Sequence, residues 1–462
     1  MKQQTIRFAA TGARVATGAV IAAACVLGVV AAVAAPWPEV RSEPVGKTVT
    51  PVPSDALLVC NGSFRALGRD AARADLMVAA ATPRVRVDGA ADEAETVQLD
   101  MSDVTGGSGA QTVTARVKDR TVPQVAASES MKISAEDVSG FAAAPCREPS
   151  LSSWLVGGDV STGASDVIVL SNPGAVTATV ELDVYGEARK ASTVVVPPMT
   201  QLGLPLASVA AGERSPVVHV SSSGAPVRAS LQSALVRTLD AVGIDVQDGV
   251  SGPQNDLQLL GVRSAPVAEG DDANGLVVRM LAPDEGGSAV VRVRSASTGQ
   301  GVGEYPVDLV AATPTEIALA GLAAGAYDIE IESGARIVAG VRQTARAGSR
   351  EDFAWMLPAP ELASGSETTF SVPGGAPATL FLRNAGQDDV TVALGGESGE
   401  RSVQLPAGGA TAVPVKAGGH TLVPTGRLHA AIGMDGGEES SAIAGWPLWG
   451  GAATGQPILV RQ

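Results

Sequence analysis

The chain has 462 residues, a net charge of −15, and 45% hydrophobic but only 3% aromatic residues; it is too long for one core and calls for three or four units packed with Val, Leu, Ala and Ile. Only six of its 33 basic residues are Lys, and no Lys/Arg stripe forms that would neutralise a run of phosphates, which excludes nucleic-acid binding. The 54 Gly and 29 Pro are spread along the sequence, the pattern of many short strands joined by tight turns rather than of disorder.

Lys2, Arg7 and Arg14 precede residues 16–35, an apolar run in which Thr17 is the only markedly polar side chain, closed by Pro36 and Trp37. This is an export signal. Its length favours an uncleaved anchor over the shorter apolar core of a cleaved peptide, although Ala32-Val33-Ala34 supplies a small-x-small cleavage site and leaves a secreted form open. The basic residues predict a cytoplasmic segment 1–15, a transmembrane signal anchor 16–36, and the bulk of the chain on the extracytoplasmic side of the cell membrane. Cys25 lies inside the span and lacks a lipobox, with Ala22 where Leu is usual. Residues 37–54, punctuated by Pro44, Pro51 and Pro53, have the composition of an extended spacer.

Residues 55–155 form a first β domain. Cys60 and Cys146 both lie where oxidation is allowed and are expected to pair, closing a loop of about 85 residues worth about 4 to 5 kcal/mol in the chain-entropy model. Strand candidates fall at 57–59, 75–80, 96–99, 111–117 and 123–133, and the Gly/Ser tract 102–110 is a loop.

The rest is organised around one echo. Residues 167–186 (VIVLSNPGAVTATVELDVYG) recur in form at 275–293 and 378–394 as an apolar strand, a turn rich in Asn, Pro, Gly or Asp, and an alternating strand. That unit predicts a repeated β-hairpin. Each copy is followed by further strands and a second turn, SSGA at 222–225, ESGA at 332–335 and VPTG at 423–426. The predicted fold is all-β, with tandem immunoglobulin-like β-sandwiches at 156–260, 261–360 and 361–462 following the first domain. Only 207–214 and 231–242 offer a turn or two of helix. Each domain is expected to close on a Trp-bearing segment: SSWLVGG, FAWMLPA and AGWPLWG.

No catalytic, cofactor or metal constellation emerges. Gly46-Lys47-Thr48 lacks both the first Gly of a phosphate loop and the strand before it, and Gly299, Gly301 and Gly303 fall between two strands as hairpin glycines. GxSxG, HExxH and SxxK are absent. His219 sits in an alternating strand, while His420 and His429 bracket the last turn and are placed to face each other across it. The acidic runs at 269–272, 388–389 and 435–440 lack the DxDxDG rhythm of a calcium loop. Trp154, Trp355, Trp446 and Trp449 are large rings capping small-residue cores, with a glycan platform as the sharper alternative.

The LLVC strand, a second Cys shortly before SSWLVGGDVSTGASDVIVLSNPG, and the Trp-Pro ending resemble an uncharacterised family of exported proteins from high-GC Gram-positive bacteria. The resemblance covers essentially the whole exported part and carries no activity or ligand residue onto particular positions. Members of that family are often encoded beside large membrane glycosyltransferases, so the resemblance implies work in envelope glycan assembly. The expected function is that of a non-enzymatic, membrane-anchored scaffold or interaction protein of the cell envelope, with an envelope protein or cell-wall glycan as partner. The alternatives are a carbohydrate-binding accessory to an envelope glycosyltransferase and a hydrolase whose site is built from loops.

Overall fold

The computed structural model describes residues 2–34, 46–49, 54–68, 76–89, 94–265, 275–397, 399–450 and 458–461, with backbone alone for 2–14, 34, 46–49 and 458–461. The chain divides into two compact units, Met1–Pro51 with Gln456–Gln462, and Val52–Gly455.

In the first unit Lys2–Ala34 is one helix. Its segment Val15–Val33 has a mean hydropathy of 2.4 over 19 residues, with its side chains exposed. At 1.5 Å per residue it measures about 28 Å, close to the hydrocarbon thickness of a bilayer. The unit also holds an antiparallel ladder of Gly46–Val49 with Ile458–Arg461. This corrects two expectations. The spacer 37–54 contains a paired strand, and Ile458–Arg461, expected as part of the fourth domain, is its partner; both segments carry β-branched residues suited to a ladder.

Among its described residues the second unit is built of strands, with one short helix, Leu206–Ala210. Its first block has three small sheets: Ala56–Val59, Gln111–Ala115 and Ala94–Gln98; Arg84–Gly89, Val125–Ser134 and Ser139–Pro145; and Phe64–Ala66, Met77–Ala81 and Val104–Thr105. The second block packs the sheet Ser152–Leu155, Val217–Ser223, Ala178–Tyr185, Lys190–Val196 against the sheet Thr200–Pro205, Val167–Asn172, Arg228–Arg237, Asp240–Asp248. Leu155, Ile168, Val180, Val218 and Leu231 meet between them. Ser152–Leu155 therefore opens the second block instead of closing the first, since Trp154 pairs opposite His219. Residues 231–242 form the end of one strand, a turn at Thr238 and Leu239 and the start of the next, not a helix, because Leu231 and Ala234 are held in the ladder with Asp240–Asp248.

The third block is built on one strand of 23 residues, Gly325–Ala347. Its first half pairs with Gln254–Ser264 and Gly287–Ser295, its second half with Val277–Leu281 and Arg350–Met356. The expected turn at 332–335 does not form. Ile329, Ile331, Ile337, Ala339 and Val341 are all buried in one core, so the two-residue period runs through ESGA without a break and the strand continues. The boundary drawn at 260/261 falls inside Gln254–Ser264, which belongs wholly to this block. The fourth block pairs the sheet Thr368–Val372, Gly418–Pro424, Val390–Gly396, Arg401–Leu405 with a sheet centred on Leu428–Asp435 and Ala378–Arg383.

The repeated unit is not a hairpin. Val167–Asn172 and Ala178–Tyr185 lie in different sheets, as do Ala378–Arg383 and Val390–Gly396, while Val277–Leu281 and Gly287–Ser295 flank different halves of the long strand. Each copy is an arch between layers. In two copies a buried Asn holds it open. Asn172 donates from Nδ2 to the carbonyls of Val176, Val196 and Pro197 at 2.9 to 3.0 Å and accepts from Gly174 N at 2.9 Å. Asn384 repeats this with the carbonyls of Asp388, Leu405 and Pro406 and with Gly386 N.

The blocks are not independent beads. Phe141 and Ala143 of the first block are members of the fourth block's core. Phe141 seats against Gly375, whose φ of +133° and missing Cβ make room where a methyl would stand 2.4 Å from the ring. Gly261, at φ +67°, receives Phe381 in the same way between the third and fourth blocks. The first block also meets the second, through Arg65 N to Gln232 Oε1 at 3.0 Å and Gly203 N to Asp103 Oδ2 at 2.6 Å.

Candidate functional site

A cleft of about 540 Å³ opens between the first and fourth blocks, a size and an inter-block position typical of ligand sites. The first block contributes Ala56 and Leu58, the start of the strand Val125–Ser134, and Cys146 with Arg147; the fourth contributes Thr369 to Ser371 and the run Trp446 to Gly450. Thr369 Oγ1 bonds Gln124 Oε1 at 2.8 Å, and Ser371 Oγ lies 2.8 Å from Ser128 Oγ, which tie the two walls together. The floor carries the Cys60–Cys146 disulfide, formed as expected, with both cysteines buried.

Arg147 follows the disulfide directly. Its guanidinium lies 3.3 Å from the ring centroid of Trp449, a cation–π contact between the two walls. Asp55, Glu148 and Glu367 are exposed on the rim. The four Trp residues divide accordingly. Trp154, Trp355 and Trp446 are only 6%, 5% and 4% exposed, and they cap cores as large rings do. Trp154 stacks on His219 at 4.3 Å, and the Arg279 guanidinium lies 4.9 Å from the Trp355 ring. Trp449 alone of the four is half-buried. No sequence signal pointed to Arg147, Phe370 or Glu367, because the cleft arises from a packing of distant blocks that no local pattern encodes.

The joints contain buried carboxyls that the sequence did not distinguish from surface acids. Asp352 of the third block accepts Phe141 N of the first at 2.7 Å and Ile244 N of the second at 3.0 Å, so one side chain joins three blocks. Asp245 accepts Trp355 N at 2.9 Å, and Asp166 accepts Asp159 N at 2.7 Å. Glu129 accepts Asn61 N at 2.7 Å beside the Arg228–Asp248 ion pair. Burial pushes Glu129, Asp166 and Asp245 each up to about 7, against the opposing pull of donated N–H groups and, for Glu129, of Arg228. Asp352 is pushed well above the carboxylate range for the same reason, with three backbone N–H groups opposing.

His420 and His429 do not face each other, since they stand on Gly418–Pro424 and Leu428–Asp435 in different sheets. His420 stacks on Phe370, and His429 Nδ1 lies 2.9 Å from Ala359 O. Gly46-Lys47-Thr48 lies in the ladder strand Gly46–Val49, and Gly299 and Gly301 turn the hairpin of Gly287–Ser295 with Gly301–Leu309. The acidic run 269–272 lies outside the described residues. Asp435 pairs with Arg263 at 2.9 Å, and Asp389 Oδ1 accepts Ala407 N at 3.0 Å.

The profile of a family of unknown function, DUF5719, matches residues 101–416, more than half of the chain. The chain belongs to the DUF5719 family. The matched region runs from the first block into the fourth, so the joint carboxyls, the arches and most of the cleft wall fall inside it; Trp446 and Trp449 fall beyond it. No curated protein matches this DUF5719 chain. Among solved structures it is similar to one described as "Crystal Structure of Thermotoga maritima 1070", at 18% identity over 22% of this chain and 94% of that one, with a TM-score of 0.21. A likeness of that extent carries no argument. The apolar helix and the disulfide point to an extracytoplasmic bulk for this family member.

Proposed function

We propose that this DUF5719 protein is a non-enzymatic, membrane-anchored interaction protein of the cell envelope, held by its N-terminal helix, with its paired sheets forming immunoglobulin-like modules outside the membrane. The observation that carries the reading is the cleft between the first and fourth blocks, where an aromatic wall and an acidic rim meet over a disulfide. A binding role fits better than a hydrolytic one because the carboxyls with displaced pKa values are sealed in joints and tied to backbone N–H groups. The glycan alternative keeps Trp449 as its platform, the one of the four rings that is half-buried.

Site-specific photo-crosslinking in whole cells tests the reading. A benzophenone side chain at Glu367 on the cleft rim gives a discrete adduct, and the same group at Val302, exposed on the third block, gives none. Equal labelling from both positions, or from neither, overturns the cleft as the working surface. Protease added to intact cells removes the body if it lies outside; a body resistant until lysis overturns the orientation.

A further inference from the structure

The cleft is bordered by the edges of three sheets. Among the described residues, Ala56–Val59 forms a ladder only with Gln111–Ala115, with one further bridge from Val59 to Arg147, while Thr368–Val372 pairs only with Gly418–Pro424 and Ile443–Pro447 only with Leu428–Asp435. All three contribute lining: Leu58 from the first, Phe370 from the second and Trp446 from the third. A sheet edge presents N–H and C=O groups at the spacing of an added strand, and it recruits extended polypeptide unless something covers it. One short stretch is already used in this way. Val59 exchanges both backbone hydrogen bonds with Arg147, at 2.8 and 3.0 Å, so the outer side of the first edge accepts an extended segment and is already occupied at this one residue.

We propose that the cleft binds an extended, basic polypeptide segment of a partner protein, adding it as a strand to one of these edges. The charge of the rim selects the partner. Asp55, Glu148 and Glu367 face outward there, while the nearby cation, Arg147, is stacked on Trp449. A segment with Lys or Arg at every second position turns its cations to the rim and its intervening apolar residues to Phe370, Trp446 and Leu58, since side chains alternate across a strand. This inference rests on the binding role proposed above and names its ligand class.

The test uses the full chain in detergent micelles, titrated calorimetrically with an alternating Val-Lys decapeptide. Three controls accompany it: the Val-Glu counterpart, the Val-Lys peptide N-methylated at every second amide, and chitohexaose. The Val-Lys peptide binds with an affinity that falls as salt rises, and each control binds at least tenfold more weakly. Glu148→Lys with Glu367→Lys weakens the Val-Lys peptide tenfold or more without changing the melting temperature. N-methylated peptide binding as well as its parent rules out main-chain pairing, and an unchanged affinity in the double variant rules out the rim; either result overturns the proposal. Chitohexaose binding that displaces the peptide assigns the cleft to a glycan and also overturns it. If the peptide fails while the Glu367 adduct still forms in cells, the ligand class falls and the binding role stands; if both fail, both fall.

Discussion

Single polar side chains decide much of this protein's architecture. Asn172 and Asn384 each satisfy three carbonyls and one N–H inside the core, and a truncation leaves those groups buried without partners. Asn172→Ala or Asn384→Ala lowers unfolding free energy by about 2 to 4 kcal/mol in denaturant titrations, more than the ~1 kcal/mol of an ordinary hydrogen bond. The joint carboxyls add a pH dependence. A group whose folded pKa is raised imposes no cost while it is protonated in both states, below about pH 4, and costs increasing stability as pH climbs toward its folded value. Glu129, Asp166 and Asp245, each near 7, therefore make the body most stable at mildly acid pH and less stable by pH 8. Asp245→Asn, which still accepts from Trp355 N, flattens that decline in melting curves measured between pH 5 and 8. The sequence displayed the two cysteines as a pair because export and number left one partner each. It could not display Asp245 or Asp352, whose character comes from enclosure where two and three blocks meet, respectively.

At the level of strands, alternation is a sound guide to where a strand lies and a poor guide to what it pairs with. Most strands of the third and fourth blocks stand where their apolar patterns put them. The arches resemble hairpins in sequence because a strand, an Asn/Gly turn and a second strand look the same whether the second strand returns to its own sheet or crosses to the facing one. In Val167–Asn172 every residue is buried, so the pattern gives no face to follow. Ser139–Pro145 escaped notice because FAAAP carries neither β-branched residues nor alternation, yet Phe141 in it reaches the fourth block. Phe141→Ala costs about 3 to 5 kcal/mol, as for other buried aromatics. Gly375→Ala is destabilising in the parent and less so in the Phe141→Ala background, because the ring it would strike is gone. Equal costs in the two backgrounds would show that the ring does not occupy that space.

Over the whole molecule, closure and crosslinking reinforce each other. The Cys60–Cys146 bond spans 86 residues and ties the strand that starts the first block to the segment that ends it, beside the cleft. Replacing both cysteines with Ser lowers stability by about 2 to 5 kcal/mol, measured as a lower denaturation midpoint, and lowers it further at pH 8 where the joints are weakest. That the first block depends on the fourth has a consequence for how the protein is made. On the orientation proposed above, the segment next to the anchor is exported first, so Phe141 is delivered long before Gly375 and its aromatic ring waits uncovered while more than two hundred residues follow. On that reading maturation is tied to the end of translocation, and a chain halted before Gly375 keeps the Phe141 ring exposed.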